Sequence, residues 1–348
     1  MIPIPFFSHW RANRSAVLFS LLAACATGQH ASAATDCERQ ASDACYQRYQ
    51  PAGAGGQLDF YASRTAAQDG AAPTRALIVV HGHPRDADKT FNAALAALHG
   101  AGEEALHDTL VVAPVFQVAD DSKCHTDGVP AAESGDLLWT CASWMEGGPA
   151  SNGSGLTSFA ALDALVAQLQ QRWPSLRVVT VAGFSAGAQM VQHYIGFAHP
   201  PAGHRLALRY VVADPGTWLY FDPARPAPAC PGANQWKYGT DNLPATLGRD
   251  AAAARAYYTA ANVHYLEGER DQGSGPGTYH KILDKSCAAM AQGPDRLQRG
   301  LAYAAYDRQL LAPAKQRQVT LVPGCAHDVA CVFPSAAARS ALLGRAED

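Results

Sequence analysis

Apolar positions along the chain gather into short runs, each ending on residues that turn the backbone. Residues 76–80 (ALIVV) stop at His81-Gly82, and 110–112 (LVV) lead into Ala113-Pro114. Residues 178–182 (VVTVA) stop at Gly183, and 210–213 (YVVA) at Asp214-Pro215-Gly216. Two later runs, 263–266 and 319–322, give way to Glu267-Gly268 and Pro323-Gly324. Near-continuous apolar runs of this length predict strands buried on both faces, as in a parallel sheet. Between them, polar and apolar residues alternate with a helical period over 89–99, 158–172, 186–198 and 296–311. Residues 57–62 predict an earlier edge strand. Strand–helix alternation over this span predicts one doubly wound, mostly parallel α/β sheet.

Two stretches break the pattern. Residues 119–156 are Gly-rich and carry Trp139 and Trp144. Residues 217–247 are rich in Pro and aromatics, including Trp218, Tyr220, Phe221, Trp236 and Tyr238. Both follow predicted strands and so belong at the carboxyl end of the sheet, where open α/β sheets bind ligands. The expected organisation is one domain over 34–348 with these two irregular insertions. Their aromatics either wall a cleft or pack a small core of their own.

Composition narrows the function. The 348 residues are 48% hydrophobic and 16% charged, which excludes a disordered chain or a coiled coil. A net charge of -3 gives no basic surplus for nucleic acid. Beyond the amino terminus no apolar run is long enough to span a membrane.

The amino terminus reads as a targeting segment. Arg11 and Arg14 precede an apolar stretch over 16–26, which suits a signal peptide and is too short for a bilayer span. Cleavage after Ala33, at Ala31-Ser32-Ala33, makes residues 1–33 the signal and yields a secreted or periplasmic chain. Leu22-Ala23-Ala24-Cys25 offers the alternative of a lipoprotein anchored through Cys25. Either outcome leaves eight of the nine cysteines, an even set that suits disulfides in an exported protein. Eight cysteines allow about 105 connectivities. Proximity along the chain favours 37–45, 124–141, 230–287 and 325–331. No cysteine or histidine run has zinc-ligand spacing, so no metal and no cofactor is expected.

The chemistry centres on Gly183-Phe184-Ser185-Ala186-Gly187, a G-x-S-x-G turn between a predicted strand and a predicted helix. A serine held there projects its hydroxyl above the sheet. That hydroxyl needs a base to take its proton and an acid to orient the base. The order serine, acid, histidine is met by Ser185, Asp271 and His327, each just past a predicted strand. Asp214 is the rival acid, Glu267 and Glu269 sit closer to their strand end, and Asp328 adjoins the histidine. Of thirteen histidines only His327 follows the last strand, and His280 is the nearest rival. The developing oxyanion needs two backbone N–H donors. The amide of Ala186 is one; the amide of His83, in the His81-Gly82-His83-Pro84 turn that Gly82 eases, is the other.

With HGHP, GFSAG, GERD and GCAH placed after successive strands, residues 57–345 resemble the α/β-hydrolase family. YVVADPGTWLY and HGHPRDADKTF resemble its exported members. The resemblance implies Ser185 as nucleophile, Asp271 as acid, His327 as base, and His83 and Ala186 as oxyanion donors. It names no substrate. The elbow is GFSAG rather than GHSMG, no Cys adjoins Ser185, and the earlier loop is not HGGG. The expected function is an exported serine esterase that acts on a small or polymeric ester. A peptidase or amidase with the same triad, or a non-catalytic binding protein on this fold, is the alternative.

Overall fold

A computed structural model describes residues 36–65, 72–124, 130–152, 155–200, 206–228 and 230–344. The signal segment and Cys25 lie outside the described residues. Eight strands form one sheet: β1 (Tyr46–Tyr49), β2 (Leu58–Ala62), β3 (Arg75–Val80), β4 (Thr109–Val115), β5 (Val178–Phe184), β6 (Ala207–Ala213), β7 (Asn262–Gly268) and β8 (Val319–Val322). Their order across the sheet is β1-β2-β4-β3-β5-β6-β7-β8. β3 to β8 run parallel, and β1 and β2 pair antiparallel at one edge.

Alternation within β3 shows why the apolar runs are unbroken. Ala76, Ile78 and Val80 join the core on one side of the sheet, with Leu162 and Val191, whereas Leu77 and Val79 join the other, with Phe91 and Leu342. Helices cover both faces, so each strand residue needs an apolar side chain whichever way it points. Those helices include α1 (Ala87–Ala101), α2 (Ser158–Arg172), α3 (Ala186–Phe197), α4 (Ala251–Ala260), α5 (Arg296–Tyr306) and α6 (Ala336–Leu343). Thr157 caps α2 by accepting from the Ala160 amide, and Asp295 caps α5 by accepting from Gln298.

The sequence reading needs three corrections. The strand expected at 57–62 is not an edge, because β1 lies outside it with Tyr46 opposite Tyr61. β1 reads YQRY and is half-buried throughout, so it carries no apolar run. Tertiary ion pairs hold it instead: Arg48 meets Asp59 at 3.1 Å, Glu133 at 2.8 Å and Asp136 at 3.3 Å. The helix expected over 296–311 keeps α-helical bonding only to Tyr306, and Asp307–Leu311 forms a wider π turn. α4 and α6 gave no clear period because they are built largely from alanine.

Four disulfides join Cys37 to Cys45, Cys124 to Cys141, Cys230 to Cys287 and Cys325 to Cys331. These are the pairings that proximity favours. No helix among the described residues is long and apolar enough to cross a membrane.

Candidate active site

Ser185 stands alone between β5 and α3 with φ 59° and ψ -120°, a left-handed conformation that a non-glycine residue rarely adopts. Glycines permit the turn. A Cβ on Gly183 would run into the Gly187 carbonyl, and one on Gly187 into the Val80 carbonyl. The Ser185 amide donates to Ala213 O at 3.0 Å, which ties the elbow to the end of β6.

His327 reaches the serine from the loop after β8. Its Nε2 lies 2.7 Å from Ser185 Oγ, and its Nδ1 lies 2.7 Å from Asp271 Oδ2. With Nδ1–H donating to Asp271, Nε2 is left to accept the serine hydroxyl. Burial pushes the His327 pKa below its ordinary value, against the hydrogen bond it donates to Asp271, which raises it. The backbone fixes the ring from two sides. The His327 amide donates to Gly277 O at 3.1 Å, and the Cys325–Cys331 bond closes a short ring around it. Phe184 lies against the imidazole at 4.8 Å between ring centres.

Asp271 sits in a tight turn after β7, its amide donating to Gly268 O at 3.0 Å. Its other oxygen faces Arg296 Nη1 at 3.5 Å. Arg296 is buried, and the same Nη1 donates to Thr278 O at 2.6 Å. It thus ties the acid to the 272–284 segment.

The rival groups go elsewhere. Asp214 is fully buried and accepts the Gly268 N–H at 2.8 Å, and burial with the nearby Asp271 charge pushes its pKa up to about 7. Glu267 is fully buried, and Glu269 accepts the Gly324 amide at 3.0 Å. Asp328 caps the short helix Val329–Val332 by accepting from the Ala330 amide. His280 opens the turn His280–Ile282, and its ring bonds to neither Ser185 nor Asp271. Asp214, Asp271 and His327 place their ligand atoms within 4.8 Å of one another. Both nitrogens of His327 already face Ser185 and Asp271, which leaves it no lone pair to offer a metal.

His83 and Ala186 flank Ser185 on the wall of one cavity. A Cβ on Gly82 would lie 3.8 Å from Ser185 Cβ. The left-handed residue of this turn is Arg85 (φ 65°). Arg85 is buried and donates to Gln117 Oε1 at 2.9 Å, fixing the turn to the end of β4. His81 is wholly buried. Its Nε2 accepts the Phe116 amide at 3.1 Å and its Nδ1 donates to Gly82 O at 2.9 Å, so it braces the turn.

Two cavities of about 290 Å³ each meet at Ser185. One is lined by Met145, Gln189, Lys237, Leu283 and Asp284. The other holds His327 with Pro84, Tyr279, Asp328 and Val329, and Ile282 and Arg296 border both. Among the described residues of the 217–247 stretch, only Lys237 lines either cavity. Its aromatics pack inward: Trp218 stacks on Tyr303 at 4.3 Å, Phe221 meets Tyr258 at 4.9 Å, and Trp236 meets Phe197 at 5.5 Å. The exposed Tyr279 and Ile282 of the 272–284 segment wall the cleft instead. Sequence reasoning missed these two and Arg296, because they lie in a loop and at a helix start that carry no motif.

No family model matches the sequence, and no curated protein matches it. Solved structures do resemble it. Poly(aspartic acid) hydrolase-1 from Sphingomonas sp. KT-1 aligns with a TM-score of 0.59 at 21% identity, over 85% of this chain and 97% of its own. LpqC, a poly(3-hydroxybutyrate) depolymerase from Bordetella parapertussis, aligns with a TM-score of 0.58 at 19% identity, over 87% and 91%. At these identities the likeness is one of fold.

Proposed function

We propose that this chain, which has the α/β-hydrolase fold, is an exported serine hydrolase that cleaves a carboxylic ester through an acyl-enzyme. One observation carries the reading: Ser185, His327 and Asp271 form a continuous hydrogen-bonded relay, 2.7 Å at each link, on a strained strand-to-helix turn. In it Ser185 Oγ attacks the ester carbonyl while His327 Nε2 takes the hydroxyl proton. Asp271 stabilises the imidazolium this creates. The carbonyl oxygen turns negative against the amides of His83 and Ala186, the latter at the amino end of α3. Collapse breaks the ester C–O bond, and the leaving alkoxide takes the proton from His327. Water, activated by the same base, then attacks the acyl-enzyme, and Ser185 leaves with its proton restored.

The two cavities suit the two halves of an ester. The one that holds His327 serves the leaving group, which must receive its proton there. The one beyond His83 and Ala186 serves the acyl group. Of the neighbours above, one is named for a polyester, which supports counting a polymeric ester among the substrates, and one for a polyamide, which keeps the amidase alternative open. Four disulfides suit an oxidising compartment, hence export. The processing site is either after Ala33 or at Cys25.

A panel of nitrophenyl esters beside aminoacyl anilides tests the reaction class. Turnover of esters well above anilides is expected. The reverse order makes the chain an amidase with the same triad, and failure to label with a fluorophosphonate makes it a binding protein.

A further inference from the structure

Behind Asp271 lies a second pair of acids that the reaction above does not use. Asp214 follows β6 in a left-handed conformation (φ 51°), and Glu267 stands in β7. Both are wholly buried. Apart from the Gly268 amide on Asp214 Oδ1, no N–H donor and no hydroxyl of the described residues reaches them: Asp214 Oδ2 and both Glu267 oxygens have no such partner. The Glu267 carboxyl is pressed against Gly300 of α5, where a Cβ would collide with it. The two carboxyls touch each other. Buried carboxyl oxygens in contact can hydrogen-bond only through a proton carried by one of them.

We propose that Asp214 and Glu267 are a proton-sharing positioning pair that sets the charge behind Asp271 and thereby the basicity of His327. This rests on the reading of Ser185, His327 and Asp271 as the reacting set. Two links carry the effect. The first is mechanical. Asp214 accepts the Gly268 N–H at 2.8 Å, and Gly268 O accepts the Asp271 N–H at 3.0 Å, so the pair anchors the base of the turn that presents the acid. The second is electrostatic, since the ligand atoms of Asp214, Asp271 and His327 fall within 4.8 Å of one another.

The charged groups that face the pair are Asp271 beyond β7, Arg296 at the start of α5 and His327 beyond β8. Arg299, one turn along α5, spends its donors on the carbonyls of Gly293, Gly216 and Asp284. Burial and the Asp271 charge raise Asp214 to about 7, with Arg296 opposing, and burial with the Asp214 charge raises Glu267 well above its usual value. Glu267 therefore keeps the proton while Asp214 changes charge near neutrality. An ionised Asp214 favours the imidazolium that His327 becomes during attack.

The test is the rate at which a fluorophosphonate labels Ser185 in the full chain, measured against pH. The wild-type rate is expected to climb in two steps, the lower from His327 and the upper near pH 7. Asp214→Asn should lose the upper step and leave the lower one in place, because below neutrality the wild-type carboxyl is itself uncharged. Glu267→Leu removes the O–H that faces Asp214, so Asp214 ionises less readily and the upper step moves to higher pH. A one-step wild-type profile, or variant profiles that superimpose on the wild type, overturns the pair. If Asp214→Asn does not fold, the Glu267→Leu profile decides alone. A wild-type chain that never labels overturns the serine reading itself, and the pair's role falls with it.

Discussion

His327 directs Nδ1 to Asp271 Oδ2 at 2.7 Å although a second carboxyl, Asp214, lies close behind. The choice follows from what each acid already holds. Asp214 Oδ1 is taken by the Gly268 amide, and burial keeps its carboxyl largely protonated up to neutrality. Asp271 instead turns Oδ1 to the Arg296 guanidinium at 3.5 Å and keeps Oδ2 for the imidazole.

Asp271→Asn should therefore lower kcat on the order of 10⁴-fold, as loss of the orienting acid does in serine triads. Asp214→Asn should cost about tenfold at pH 8, the equivalent of removing one partly screened charge. Steady-state ester hydrolysis measures both, and a larger loss from Asp214→Asn would assign the acid to the end of β6.

Ser185→Ala is expected to remove turnover and leave the fold intact, since the hydroxyl bonds only His327 Nε2 and fills no core space. Melting within about 3 °C of wild type is the expected control. Wild-type turnover in a variant purified free of host esterase would rule out the nucleophile.

The Cys325–Cys331 bridge closes a ring too short to add more than about 2 kcal/mol by chain entropy. It does hold the backbone on both sides of His327. Cys325→Ser with Cys331→Ser should therefore reduce kcat by a larger factor than its modest loss in urea stability would suggest. Unchanged kcat in the folded double variant would show that the bridge does not position the base.

His81 supplies an acid-sensitive brace. Burial lowers its pKa to about 4, and its Nε2 must stay unprotonated to accept the Phe116 amide. A depressed folded pKa contributes stability above the unfolded value near 6.5, which is lost as pH falls towards 4. Urea unfolding midpoints should drop across that window. His81→Gln should lower stability at pH 7.5 and flatten the drop, and a wild-type midpoint that stays level from 6.5 to 4 would contradict the role given to His81.

The sequence carried the sheet and the elbow because both are local. A strand covered on both faces must be apolar at every position, so β3, β5 and β6 announce themselves as runs. A strand-to-helix turn that presses its backbone on its neighbours needs Gly183 and Gly187 at fixed spacing. The disulfides follow proximity because short loops close at least entropic cost.

Tertiary structure decided what depends on partners far apart in the chain. β1 is a strand because Arg48 finds Asp59, Glu133 and Asp136, none of which its own four residues reveal. The walls of the cleft come from Tyr279, Ile282 and Arg296 because the aromatics of 217–247 are drawn inward onto Tyr303 and Tyr258. Asp214 and Asp271 stand at the ends of adjacent strands and look equivalent as letters. Only the through-space placement of Gly268, Arg296 and His327 makes one the partner of the histidine and buries the other behind it. Sequence order can bring candidates to the same edge of a sheet, but a hydrogen bond is chosen by distances of tenths of an ångström and by which oxygen is still free.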